Sequence, residues 1–292
     1  MGNYVGYFYP INLSLNTTSS KQSFQHNYYK TLIRSNINSN KNPYLYKKNN
    51  ETISFISTST EDSLLSKSDD LDINIMNKPL YLDNNNSFSQ NIFYYDWDDT
   101  LFFTTALKFR FFEYCGHIFA EENEDNNLLL MHFQNEISHL DYLTHSILSK
   151  SLSLGNVYIV TNSTANWVFN MASEYYPQTN AYISSGKVNV VSARDKYSKQ
   201  LHYDKYMWKK KAFLEIANSY NTDKDTNIIV LGDNQLDIDA GVVVSNYFKN
   251  CCVKTVKFRE RPSFDELLFQ LKEYLIRFNE ICECKHNENY FL

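Results

Sequence analysis

The chain is poor in glycine, with seven residues in 292. No G-x-G occurs, and no G-x-x-x-x-G-K follows an apolar run. That removes both the dinucleotide-binding fingerprint and the glycine loop that cradles nucleotide phosphates. Any phosphate chemistry must fall to side chains and a metal. An excess of basic charge is also missing: the net charge is −5 and the pI about 5.8, which argues against a dedicated nucleic-acid binder. No apolar run approaches the ~18 residues of a membrane span. The five cysteines, Cys115, Cys251, Cys252, Cys282 and Cys284, are odd in number and irregularly spaced. With no secretory leader before them, reduced thiols and a cytoplasmic location are expected. Met1-Gly2 invites myristoylation, but position six is Gly6 and not Ser or Thr.

What the chain has is 43% hydrophobic and 16% aromatic residues, enough to bury a core. Its texture changes near residue 90. Residues 1–90 are rich in Asn and Ser, as in Ser35–Asn40 and Asn84–Asn86, and such low-complexity tracts bury too little apolar surface to offset chain entropy. A largely disordered or loosely docked N-terminal region is expected there. From 91 to 284, short apolar runs alternate with helical periodicity. Ile92–Tyr95, Val157–Val160, Val188–Val191, Ile228–Leu231 and Val253–Phe258 read as buried strands. Leu130, Phe133, Ile137, Leu140, Ile147 and Leu148 recur at helix spacing, as do Trp208, Ala212, Phe213, Ile216 and Ala217. Ser263 and Glu266 form a capping box that opens a helix to about Cys284. The pattern predicts an α/β fold: a Rossmann-like parallel sheet of about five strands with helices on both faces, and a C-terminal tail over 285–292.

In such a sheet ligands bind beyond the carboxyl ends of the strands. The first strand ends in Asp96-Trp97-Asp98-Asp99-Thr100-Leu101, where a period of two puts Asp96 and Asp98 on one side. The second ends in Thr161-Asn162, and the fourth in Gly232-Asp233 with Asp237 on the following helix. Like charges repel unless a cation or proton intervenes. Carboxylates from two strand ends make an all-oxygen site, which suits Mg²⁺.

These residues resemble the haloacid dehalogenase-like (HAD) superfamily, whose motifs are a strand followed by D-x-D-x-[TV], a second strand ending in Thr or Ser, a Lys, and G-D-x-x-x-D. All four occur in order, at Asp96, Thr161, Lys209 and Gly232-Asp233. The resemblance covers roughly residues 91–260, and Ser192–Tyr197 and Lys257–Glu260 look similar to HAD-like proteins of protists. It implies a phosphatase domain over 91–284 with Asp96 as nucleophile and Asp98 as general acid and base. It further implies a phosphoryl oxygen held by Thr161 and Asn162, and charge balance from Lys209. Mg²⁺ would be held by Asp96, the Asp98 carbonyl and Asp233, with Asp237 as ligand or next to one. Asp99 departs from the glycine frequent at that position, and is expected to point outward.

Three adjacent lysines compete for the third motif. Lys209 shares a stripe with Phe213 and Ile216, Lys210 with Leu214 and Ala217, and Lys211 with Glu215 and Asn218, so Lys209 is favoured and Lys210 is the alternative. His132, His139 and His145 read as structural residues of one helix. Cys282-x-Cys284-x-His286 lacks zinc-site spacing. Residues 102–160 and 162–208 leave little room for a substrate-selecting cap beyond Phe109–Asn127. The expectation is therefore a capless or minimally capped phosphomonoester hydrolase, open to a large substrate such as a phosphoprotein. A non-catalytic binding protein on the HAD fold and a phosphotransferase using the same residues are the alternatives. Nothing in the residues sets the oligomeric state.

Overall fold

The strands form where β-branched and aromatic residues run without interruption, and helix periodicity fills the gaps between them. In a computed structural model that describes residues 88–109, 125–201 and 204–292, β1 spans Gln90–Tyr95, β2 Asn156–Thr161, β3 Val188–Ser192, β4 Thr226–Gly232 and β5 Cys251–Lys257. A sixth strand, β6 at Glu288–Phe291, lies where only a tail was expected. Its residues alternate between half-buried and exposed, and an edge strand of that kind has no apolar run to betray it. The sheet is all parallel in the order β3-β2-β1-β4-β5-β6.

This is the doubly wound order, and it reverses direction between β1 and β4. Tyr95 pairs in register with Leu231, so the ends of β1 and β4 lie side by side at that reversal. The residues after these strands, Asp96 and Asp233, are thereby set at the crevice of the sheet.

The helices are α1 (Asp125–Leu154), α2 (Ala165–Tyr175), α3 (Pro177–Ser184), α4 (Ala193–Leu201), α5 (Lys205–Ala217), α6 (Gln235–Ser245) and α7 (Phe264–Glu283). Pro177 at the start of α3 separates it from α2, and with α4 after β3 three short helices lie between β2 and α5. The capping box of α7 forms as expected, with Ser263 and Glu266 each satisfying the other's backbone N–H.

Alternation along β1 distributes the two cores. Ile92 and Tyr94 join Trp208, Phe213, Ala240 and Val244 in the layer of α5 and α6, where Tyr94 stacks on Phe213 at 4.3 Å. Phe93 and Tyr95 face the opposite layer of α1 and α7: Phe93 stacks on Phe278, and the Tyr95 hydroxyl meets Ser151 Oγ at 2.7 Å and Tyr274 at 3.0 Å. Helices thus cover both faces. Four cysteines, Cys251, Cys252, Cys282 and Cys284, are free thiols. Among the described residues no helix is long and apolar enough to cross a membrane. The expectations for residues 1–87 and Cys115, and most of the 109–127 cap segment, lie outside the described residues.

Away from the crevice, one buried polar cluster ties the two central strands to α7. Lys254 is wholly buried, and its ammonium donates to Asn227 Oδ1 at 2.6 Å; burial pushes its pKa down. Asn227 in turn donates to Asn91 Oδ1 and to the Cys282 carbonyl, both at 2.9 Å. Replacing Asn227 by Leu leaves a buried ammonium without that acceptor and should cost about 3 kcal/mol. The double change Asn227→Leu with Lys254→Met should recover most of that loss in urea denaturation; a double variant no better than the single one would contradict the assignment.

Candidate functional site

The backbone brings the acids together before any side chain is considered. Asp96 continues the sheet by one residue, its N–H donating to the Leu231 carbonyl at 2.9 Å. The Asp233 N–H donates to the Thr100 hydroxyl at 2.9 Å, which staples the loop after β4 to the loop after β1. Lys257 holds the same loop from β5, donating to the carbonyls of Asp233 (2.5 Å) and Phe258 (2.9 Å). Asn234 caps α6 by accepting from the Leu236 N–H, so Asp237 falls in the first turn with its carboxylate turned inward. Gly232 permits this: a Cβ there would lie 2.5 Å from the Asp237 Cβ.

Asp96, Asp233 and Asp237 each present an oxygen within 4.8 Å of the others. Among the described residues they form the one group of three or more such ligands that could hold a metal ion. Lys209 enters from α5, only 3% exposed, with its Nζ 2.7 Å from Asp96 Oδ1 and in contact with Asp237 Oδ1. Of the three adjacent lysines it is the inward one. Lys210 lies over the Tyr206 ring at 3.5 Å, and Lys211 sits 6.0 Å from the Tyr197 ring.

Burial pushes the carboxyl pKa of Asp96 well up against the pull of Lys209, with Asp237, Asp233 and Asp98 adding to the rise. Asp233 is pushed up to about 7, by burial first and Asp237 next. Asp237 is likewise raised by burial, opposed by Lys209. Burial alone would lower the Lys209 ammonium, but Asp237 and Asp96 outweigh it and hold the group above its ordinary value. Two buried carboxylates and the partly buried Asp233 face the Lys209 ammonium, with Lys257 acting from β5 on Asp233 and Asp237. Negative charge is still in excess, and a low-dielectric interior tolerates that only with protons or a further cation. Asp237 Oδ2 is buried with no hydrogen-bond partner. An orphaned carboxylate oxygen in an all-oxygen donor set fits a hard divalent cation.

Asp98 stands apart from this trio. Its Oδ1 accepts from the Thr104 hydroxyl (2.6 Å) and the Trp167 indole N–H (2.8 Å), and its Oδ2 accepts from the Thr161 hydroxyl (3.1 Å). The Thr161 hydroxyl also accepts from the Ser163 N–H at 2.9 Å, so its proton is directed to Asp98. Asn162 lies beside it with a buried Oδ1 that has no partner. Asp99 does not point outward. It adopts φ 59°, a left-handed conformation that Asp tolerates, and turns back to accept from the N–H and hydroxyl of Thr105 at the start of the helical turn over residues 104–109. Burial raises its pKa against those two bonds.

Thr100, Thr104 and Trp167 were missed in the sequence. Thr100 was visible inside the first acidic motif, whereas Thr104 and Trp167 carry no signal until the loops fold over Asp98. Cys282, Cys284 and His286 do not gather: the Cys284 thiol meets the His286 carbonyl at 3.4 Å, and the His286 ring meets Glu288. His132 is exposed and paired with Glu136, and the His145 ring meets the Gln178 carbonyl. No family model matches the chain, and neither a curated protein nor a solved structure does.

A carboxyl whose folded pKa exceeds its unfolded value takes up a proton on folding, so its contribution is favourable at low pH and fades as pH rises. For Asp233 that window runs from about pH 4 to about 7. In EDTA, the stability of wild type relative to Asp233→Asn should fall across this window, and a divalent cation should restore it. Melting curves at stepped pH measure both, and a wild-type advantage that grows with pH in EDTA would contradict the burial argument.

Proposed function

We propose that the chain is a Mg²⁺-dependent phosphomonoester hydrolase of the HAD type, acting through an aspartyl-phosphate on Asp96. The observation that carries this is the buried Asp96–Asp233–Asp237 group at the reversal of the sheet, with Lys209 bridging two of its members. Asp96, Asp233 and Asp237 would hold the ion, with the Asp98 carbonyl completing the set that the resemblance implies; the Asp98 side chain is committed elsewhere. Bound there, Mg²⁺ supplies charge neutralisation that lets a carboxylate approach a phosphate.

The chain's own groups do the rest. The Asp96 carboxylate attacks phosphorus, forming the acyl phosphate as the bond to the leaving oxygen breaks. Asp98, two residues on and outside the acidic trio, delivers a proton to that oxygen. It then takes a proton from water, whose oxygen attacks phosphorus, frees inorganic phosphate and regenerates Asp96. Lys209 holds Asp96 in place and offsets charge as the phosphoryl group arrives. Thr161 and Asn162 are assigned to the phosphate side, where a phosphoryl oxygen would take the Asn162 amide N–H and the hydroxyl proton that Thr161 otherwise gives to Asp98. Sequence length leaves little room for a cap beyond Phe109–Asn127, and we extend the proposal to large substrates such as phosphoproteins on that ground.

Purified full-length chain should hydrolyse p-nitrophenyl phosphate with Mg²⁺, and EDTA should abolish turnover. Asp96→Asn should lower kcat by at least ~1,000-fold, since it removes the nucleophile. Folded wild-type chain inert toward a broad panel of phosphomonoesters would overturn the proposal and favour a binding role for the same fold.

A further inference from the structure

The chain has three tryptophans, and they treat their indole N–H groups differently. Those of Trp97 and Trp208 are buried without a partner, whereas Trp167 donates to Asp98 Oδ1 at 2.8 Å. Trp167 is braced at both ends. Its backbone N–H donates to the Thr164 side chain, which caps α2, and its ring meets Phe102 edge-on at 6.5 Å and 89°. The capped helix start fixes where the indole begins, and the Phe102 ring limits its swing toward a moving carboxylate.

We infer that Trp167 is a positioning residue for Asp98: its indole N–H and the Thr104 hydroxyl together pin Oδ1, leaving Oδ2 to carry the proton exchanged with the leaving group. The inference rests on the hydrolase reading above, in which Asp98 is the proton donor. A carboxyl group can rotate about its terminal torsion at little cost, because such sp³–sp² torsions are broad. Two short bonds to Oδ1, at 2.6 and 2.8 Å, oppose that rotation, while Oδ2 has only the longer bond from Thr161 at 3.1 Å. Proton transfer depends on placing the acid within hydrogen-bond reach of the leaving oxygen, so loss of the clamp should tell on kcat. Partners that orient metal-binding side chains are typically worth about 10–100-fold, and the same range is expected for an oriented acid.

The test compares two esters. A phenolate such as p-nitrophenolate leaves with little need of a proton, whereas an alkoxide needs one. Trp167→Phe keeps a ring and removes only the donor. Its kcat for an alkyl phosphate such as glycerol 2-phosphate should fall about 10–100-fold, its kcat for p-nitrophenyl phosphate by only a few-fold, and KM should change little for either. Thr104→Val should show the same split, and decides the matter if Trp167→Phe does not fold; Thr104→Ser should retain most activity. A second readout needs neither turnover nor metal. In ¹H–¹⁵N spectra of the full chain in EDTA, the Trp167 indole signal, identified by its loss in Trp167→Phe, should move in Asp98→Ala while that of Trp208 stays. Equal losses on both esters, no loss, or an unmoved Trp167 signal would overturn the inference while leaving an active wild type as a hydrolase. A wild type inert toward both esters overturns the hydrolase reading and this inference with it.

Discussion

The arrangement of the crevice depends on one buried contact, the Lys209 ammonium held between Asp96 and Asp237. It links the end of β1, the first turn of α6 and the inward face of α5, three elements far apart in the chain. Each partner alone would be an uncompensated charge in the interior, where losing one member of such a pair is far more costly than the pair is worth. The contact is therefore better understood as a constraint on geometry than as a source of stability. It also falls short of neutrality, since Asp233 and the second oxygen of Asp237 are left over. A further cation or a proton bound there would make up that shortfall.

A second buried ammonium shows the contrast. Lys254 is as deeply buried as Lys209, but its partner is the amide of Asn227 and its surroundings are thiols and the Phe88 ring. There burial lowers the ammonium pKa; at Lys209 the carboxylates reverse the sign. The same residue type buried to the same degree thus serves different ends according to whether its neighbours carry charge. Lys254 knits strands to a helix, and Lys209 draws two carboxylates together at the crevice of the sheet.

Scarce glycine is spent where backbone and side chain approach closely. A Cβ on Gly232 would run into Asp237, one on Gly241 would lie 2.6 Å from Val230 Cγ2, and one on Gly155 would lie 2.2 Å from the Asn91 carbonyl oxygen. The first sets the distance between the β4 loop and α6 on which the acidic group depends. The turn after Asp98, by contrast, does without glycine: Asp99 occupies the left-handed position, and its side chain caps the helical turn that follows.

Much of the architecture was legible in the chain alone, because buried parallel strands are continuous apolar runs and amphipathic helices repeat at 3.6 residues. Asp96, Asp233 and Asp237 followed from that pattern, since a strand end fixes a residue's place by local geometry; a lysine was called for by the HAD resemblance, and the helical stripe favoured Lys209 among the three. What local geometry cannot specify is partnership across the chain. The edge strand at Glu288–Phe291 has no apolar signature because one side of it faces solvent. The burial of Asp99 depends on a backbone dihedral, and the engagement of Asp98 by Trp167 and Thr104 depends on two loops meeting. The sequence by itself determined the parallel α/β sheet and which residues lie at its carboxyl edge, because periodicity is a property of neighbours along the chain. Only the tertiary structure decided which of those acids share a buried site and which is held apart by an indole and two hydroxyls, because burial and hydrogen bonding are properties of neighbours in space.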